Sequence, residues 1–282
     1  MKYQKYRPAE VLAPFVECYF TWDSEGDNVP PFEVRFTSSG YSSIVFNCGD
    51  LYTLKNDNLD RFVVPRQFLA GQTQHDFTLS FDGVVDLVGI VFKPTAIRSL
   101  FSLPAYLYTE KRIELKHIFC RRWIRYIAES MSSAGDSNEK VQLLEDFLMN
   151  HYIRYKPELD SLDYAANLIL ERNGLLNVKA LHEEISMSDK KFEQQFFYRV
   201  GMLPEHYARL RRRSYIRGLI AAKKKVDWQH LFQLCTNYDP VHFINDFLSL
   251  TGQSPQQYVR EHRRRNIESV YVKTTAGEEG NS

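Results

Sequence analysis

Hydrophobic and polar positions change period partway along the chain. From Phe15 to about Phe92, apolar residues alternate with polar ones or gather in short β-branched and aromatic blocks. Residues 15–22 mix alternation with aromatic side chains, residues 43–47 lie between Gly40 and Gly49, and residues 77–81 stop at the turn dipeptide Asp82-Gly83. Residues 84–92 read as a further, more buried strand. Short strands punctuated by turn residues predict an antiparallel barrel or sandwich. After Pro94 the period lengthens, predicting helices at 95–100, 118–131 and 141–152. In the last of these, Val141, Leu144, Phe147 and Leu148 form one stripe. Residues 132–138 are a polar loop, residues 155–157 a linker, and from Thr274 the chain runs out in a polar tail.

Between the linker and the tail every element reads as a short helix. Ser161 is placed to cap a helix running to about Arg172, with Gly174 as its stop. A second helix is expected over 179–185, a turn at 186–188 and a third helix over 189–200, capped by Ser188. Phe192 and Phe196, one turn apart, should face a core, leaving Lys190, Lys191, Gln194, Tyr198 and Arg199 largely outward. Two short helices joined by a tight turn, the second amphipathic, make a helix-turn-helix pattern. The pattern occurs a second time, with a helix over 228–235, a turn at 236–238 and a helix from Asp239 to about Leu250. Phe243 and Phe247 repeat the earlier pair, Gly201 and Gly252 end the two outer helices, and Pro204 and Pro255 open the next ones.

Phe192…Phe196…Gly201…Pro204…Tyr207 and Asp239…His242-Phe243…Phe247…Thr251-Gly252…Ser254-Pro255…Tyr258 closely resemble the AraC/XylS domain, over roughly Ser161 to Arg263. Val88-Gly89-Ile90-Val91-Phe92-Lys93-Pro94, followed by Leu103-Pro104, is similar to the β-rich N-terminal domain of some AraC-type regulators. The resemblance implies an α+β multidomain protein. Its N-terminal β-barrel or sandwich would carry a helical extension, and its C-terminal part would be an all-α double helix-turn-helix. The expected organisation is a β-rich effector or regulatory domain at 1–115, a helical linker or dimerisation region at 116–157, a DNA-binding domain at 158–265 and a flexible tail at 266–282. In this family a rigid helix, here over 204–222, joins the two units, which would place their recognition helices in successive major grooves about 34 Å apart.

The correspondence carries Lys190, Glu193 and Gln194 to bases from the first recognition helix, and Val241, His242 and Asn245 from the second. Lys suits guanine, Gln and Asn adenine, Glu a cytosine amino group and Val a thymine methyl. Lys191, Arg199, Arg209, Arg211, Arg212, Arg213, Lys223, Lys224, Lys225, Arg260 and Arg263 to Arg265 are candidate phosphate contacts, which position without specifying. Arg212 sits where the family usually has arginine. The chain departs from the pattern where a small residue and, four positions later, a turn glycine are usual. His182 and Ser186 stand there in the first unit, Phe232 and Thr236 in the second. Bulky residues there bear on the crossing angle of the helices and on the strength of DNA binding.

Composition fits this reading. The chain has 282 residues, 44% hydrophobic and 25% charged, enough for two modest cores. Between Asn177 and Arg265 there are 16 Lys and Arg against 9 Asp and Glu, a net +7, whereas the remainder has 20 against 26, a net −6. A basic C-terminal part on an acidic body suits a polyanion-binding head. Cys18, Cys48, Cys120 and Cys235 are scattered without metal or redox spacing, so buried free thiols in a reducing cytosol are expected. Neither a signal peptide nor a membrane span is read, which makes a cytoplasmic location the default.

Catalysis is not expected. The β region holds only His75, too little for a metal-binding barrel. His182-Glu183-Glu184 starts like a zinc-protease motif but lacks the second His, and no phosphate-binding glycine loop occurs. No cofactor is expected. The partners implied are double-stranded DNA, a small-molecule effector, RNA polymerase if the protein activates, and a second copy in a homodimer. Tyr19, Trp22, Phe46 and Phe92 are the candidate lining of an effector pocket, with core packing as their other reading. The alternative function is a degenerate regulator, a protein- or ligand-binding module without specific DNA recognition.

Overall fold

The computed structural model describes residues 1–56, 59–222, 227–238 and 240–260. They form two compact units, one of residues 1–174 and 178–211, the other of residues 175–177 with the chain from 212 onward. A DNA-binding domain drawn at 158–265 would span parts of both. The expected tail at 266–282 lies outside the described residues. Among the described residues no helix is long and apolar enough to cross a membrane.

The first unit is built on an antiparallel sheet. Its strands are β1 (Lys2–Tyr6), β2 (Val16–Phe36), β3 (Ser42–Asn47), β4 (Thr53–Asn56), β5 (Leu59–Val63), β6 (Gln67–Ala70), β7 (Phe77–Phe92) and β8 (Arg112–Glu114). The main order is β1-β2-β7-β3-β6-β8, with β4 joining β7 to β5. Asp82-Gly83 is not the turn that the dipeptide suggests, because β7 runs straight through it. Gly83, at φ +102°, faces Val29 across β2, beside one of the register breaks that bend this long pair. Bulges of this kind curve a sheet without ending its strands.

Strand alternation sorts the side chains onto two faces. Tyr19, Ile44, Phe46, Leu69, Val88, Ile90 and Phe92 belong to one buried cluster, together with Leu100, Ile124, Ile127, Leu144 and Leu148 from the helices. Those helices are α1 (Ala96–Phe101), α2 (Arg121–Ser133) and α3 (Ser137–Tyr155). Asp136 caps α3 through the amides of Asn138 and Glu139, at 2.7 and 2.9 Å, a device worth about 1 kcal/mol. The Lys140 ammonium reaches Asp86 of β7 at 2.6 Å and ties α3 to the sheet. On the opposite face Val45, Tyr52, Leu54, Phe68, Leu79, Phe81 and Leu87 form a second cluster, joined by Phe20, Trp22, Phe36 and Phe77.

The helices that follow are α4 (Ser161–Glu171), α5 (Leu181–Glu184), α6 (Asp189–Val200), α7 (Pro204–Ala221), α8 (Trp228–Tyr238) and α9 (Pro240–Thr251). Two local readings are corrected. The N-cap of α4 is Asp160, not Ser161, and it forms a capping box with Asp163. Residues 236–238, expected as a turn, are helical; Asp239 lies outside the described residues. The cysteines are free, but Cys120 is exposed and Cys48 only half-buried, so burial holds for Cys18 and Cys235 alone.

Candidate nucleic-acid interface and effector cavity

Helices α5 and α6 form the first helix-turn-helix. Phe192 and Phe196 are buried, with ring centroids 5.7 Å apart, and Phe196 packs on Tyr207 at 5.9 Å. Lys190, Lys191, Glu193 and Gln194 are exposed. The unusual residues of this unit have local partners. Ser186 takes the left-handed conformation (φ +53°) that a turn glycine would adopt more cheaply. The His182 ring Nδ1 lies 3.0 Å from the Met187 carbonyl and closes the same turn.

In the far half of α6, Tyr198 and Arg199, expected outward, are half-buried, while Phe197 is exposed. Phe197 stacks on Tyr106 at 5.5 Å, and Tyr198 lies beneath the Arg98 guanidinium at 5.7 Å. Arg199 is paired with Asp160 at 2.7 Å and with the buried Asp163 at 3.5 Å. Asp163 also accepts a hydrogen bond from Ser99 at 2.8 Å. Burial pushes the Asp160 carboxyl up, but hydrogen bonds from Arg199 and the Asp163 backbone outweigh it and hold the pKa below the ordinary value. Arg199 is therefore a tether between α6 and α4, not a phosphate contact. Gly201 ends α6 at φ +92°, where a Cβ would meet Thr109 Oγ1 at 2.3 Å; that hydroxyl donates to the Gly201 carbonyl at 3.0 Å.

Helices α8 and α9 form the other unit. Trp228, Leu231, Phe232, Cys235, Phe243 and Phe247 are its core, with Phe232 lying 5.4 Å from Phe243 and 4.8 Å from Phe247. Phe232, in place of a small residue, is thus absorbed by an aromatic cluster. Val241, His242 and Asn245 are exposed, and Val241 is accompanied on the surface by Ile244 and Leu248. The side chain of Thr236 lies outside the described residues.

The basic residues divide. Lys191 and Arg260 are exposed, while Arg209 and Arg213 are half-buried. Arg212 is 5% exposed, with Nη1 3.4 Å from the Cys235 carbonyl, so the structure makes it an internal prop of the second unit instead of a phosphate contact. Arg211 is also buried: it donates to the Ser39 carbonyl and covers the Tyr41 ring at 4.8 Å. Lys223, Lys224, Lys225 and Arg263 to Arg265 lie outside the described residues.

The curved sheet encloses a cavity of about 640 Å³, within the range of small-molecule sites. Of the four aromatic residues proposed for a pocket, Trp22 lines it. Tyr19, Phe46 and Phe92 point to the opposite face and belong to the core under the helices. The period of two explains this, since Tyr19 and Trp22 are three residues apart on one strand and cannot share a face. Sequence reasoning missed Tyr52 and Arg112, which line the cavity. Arg112 sits in a charged stretch that reads as surface; only its odd spacing from Ile113, on an edge strand, hints that it turns inward.

The described residues hold the antiparallel sheet domain and the two helix-turn-helix units that the AraC/XylS resemblance implies. The residues that carry the resemblance fall where it requires them: both phenylalanine pairs are buried, Gly201 and Gly252 take positive φ, and Pro204 opens α7. Residues 4–114 match the model of a domain of unknown function (DUF6597). No curated protein matches the sequence. Among solved structures, ToxT from Vibrio cholerae is 13% identical, with a TM-score of 0.38 over 82% of this chain and 98% of that one. ToxT of Vibrio cholerae strain SCE256 with an unsaturated fatty acid bound is 13% identical, with a TM-score of 0.39 over 84% and 92%. The AraC-like transcriptional activator CuxR is 10% identical, with a TM-score of 0.31 over 77% and 94%. Likeness at these values assigns neither ligand nor activity to this chain.

Proposed function

We propose that this protein is a sequence-specific DNA-binding transcription regulator of the AraC kind, controlled by a small molecule bound in the sheet cavity, and not an enzyme. The observation that carries the DNA-binding reading is the pair of amphipathic helices α6 and α9. Each buries two phenylalanines and turns polar, hydrogen-bonding side chains to solvent: Lys190, Glu193 and Gln194 on α6, His242 and Asn245 on α9. Helices of this kind suit the major groove, where Lys, Gln and Asn discriminate base edges. Exposed Lys191 and Arg260 and half-buried Arg209 and Arg213 supply the phosphate contacts in this reading. RNA polymerase, if the protein activates, and a second copy of the chain are the further partners it implies.

The test is selection of binding sites from a random duplex pool by the full-length protein, followed by footprinting on the selected sequence. Enrichment of one asymmetric motif of about two helical turns supports the reading. Retention of all sequences alike, or of none, leaves a ligand- or protein-binding module in its place.

A further inference from the structure

The two helix-turn-helix units repeat one another at a constant offset, which pairs Phe192 with Phe243, Gly201 with Gly252 and Tyr207 with Tyr258. The same offset pairs the outward residues of their second helices. Lys190 and Glu193 of α6 correspond to Val241 and Ile244 of α9, and Gln194 corresponds to Asn245. Helix α6 therefore presents a cation, an acid and an amide where α9 presents two branched hydrocarbons around one amide. Between Pro240 and Thr251 there is no Lys or Arg.

The hydrocarbon of α9 lies in water. Val241 is 66% exposed, Ile244 43% and Leu248 47%. Spaced by three and four residues, they form one stripe along the helix. None of the three belongs to the aromatic core of the unit or to the apolar residues packed against that core. A contiguous exposed apolar face marks a surface that meets a partner. The charge around it indicates which kind. From Arg212 to Arg265 there are 10 Lys and Arg against 4 Asp and Glu. An apolar stripe on so basic a unit fits a polyanion that itself carries hydrocarbon groups, whereas a neutral apolar protein surface would leave the charge unmatched. Among the base edges of the DNA major groove, only that of thymine carries such a group, its C5 methyl. Adenine, which pairs with thymine, offers the N6 and N7 that an amide in the position of Asn245 can take together.

We infer that α9 reads A·T base pairs, with Val241 and Ile244 packed on thymine C5 methyls and Asn245 on an adenine edge. The half of the binding site under α9 is then rich in thymine, while the half under α6, read by Lys190 and Glu193, contains G·C pairs. This rests on the reading of the protein as a sequence-specific DNA binder and supplies the base chemistry that separates the two halves of its site.

The test uses the full-length protein and the duplex it selects from a random pool, with thymines replaced by deoxyuridine in one half of the site at a time. The replacement removes C5 methyls and keeps every hydrogen-bonding group, and fluorescence anisotropy reads the affinity. In one half only, each contacted thymine that is replaced should weaken binding about fourfold, the value of one buried methyl. A Val241→Ala/Ile244→Ala double variant should bind the thymine and deoxyuridine forms of that half alike. Both side chains are exposed, so its melting temperature should match that of the native protein. A selected site without thymine, equal binding of the two forms by the native protein, or a sensitivity that the double variant retains overturns the proposal and leaves DNA recognition standing. Selection of no sequence at all removes the regulator reading and this proposal together, and leaves the stripe as a face for a protein partner.

Discussion

The Tyr207 hydroxyl donates a 3.0 Å hydrogen bond to the carbonyl of Gly40, joining the start of α7 to the loop between β2 and β3. Tyr207 is fully buried, and burial raises its pKa, so the phenol stays a donor at any working pH. Gly40 adopts φ +76°, and a Cβ there would stand 2.8 Å from Arg211 Cδ and 2.9 Å from Tyr207 Cε2. The same loop supplies Ser39 and Tyr41 to the cavity wall, so the segment that α7 grips is one that a ligand would touch.

Tyr207→Phe should therefore cost about 1–3 kcal/mol, the penalty for leaving a buried carbonyl without its donor. Gly40→Ala should cost more, since it adds both a close contact and a positive-φ penalty. Urea denaturation of the two variants checks the order; a Tyr207→Phe protein as stable as the native one would show that the bond carries nothing.

The fate of the two neighbouring arginines separates propping from phosphate binding. Arg212→Ala removes a buried side chain and its bond to the Cys235 carbonyl, so the expected result is a lower melting temperature. Arg213→Ala, at a half-buried position, should leave the melting temperature nearly unchanged and reduce the salt slope of DNA binding by about one. Melting by circular dichroism, then binding across a salt series, decides both. An Arg212→Ala protein that melts normally but binds DNA weakly would reverse the assignment.

His151 makes the helical layer over the sheet sensitive to pH. Its Nε2 lies 2.7 Å from the Leu100 carbonyl, and its ring packs 4.9 Å from Phe101 and 4.5 Å from Tyr155. Burial lowers its pKa and Arg154 lowers it further, against the pull of the Leu100 carbonyl. Because the folded value is depressed, the stabilisation is complete above the unfolded value of about 6.5 and is lost as pH falls from there through the folded value. His151→Gln, which keeps a donor for Leu100 but does not titrate, should show a smaller loss of urea midpoint between pH 7.5 and pH 5.5 than the native protein. Identical losses would remove His151 as the cause.

The helix-turn-helix units were legible because their signals are local: phenylalanines one turn apart, and a glycine and a proline at fixed offsets, mark the faces and ends of short helices. The bounds of α6, Asp189–Val200, agree with that reading to the residue. The sheet was legible as alternation, but the cavity was not, because which parity faces inward depends on the curvature of the whole sheet. Tyr19, Phe46 and Phe92, open to a pocket or a core reading from the sequence, belong to the core. Arg199 and Arg212 read as surface charge because their partners, Asp160 with Asp163 and the Cys235 carbonyl, are supplied by packing, which charge counts do not record.

Base reading gives the most demanding prediction. Gln194 is exposed one turn beyond Lys190 and on the side of α6 away from buried Phe192 and Phe196. From such a position its amide can pair with both the N6 and N7 of an adenine, a contact worth about 1–3 kcal/mol of discrimination. Gln194→Ala removes no buried contact, so folding and salt dependence should be preserved while preference relaxes at one or two base pairs. Asn245, exposed on α9 beside buried Phe243 and Phe247, should behave in the same way at a different base pair. The measurement is selection from a random duplex pool with each single variant beside the native protein. Native motifs recovered unchanged by both variants would mean that neither side chain reads a base, and that whatever affinity the protein has for DNA comes from phosphate contacts and duplex shape.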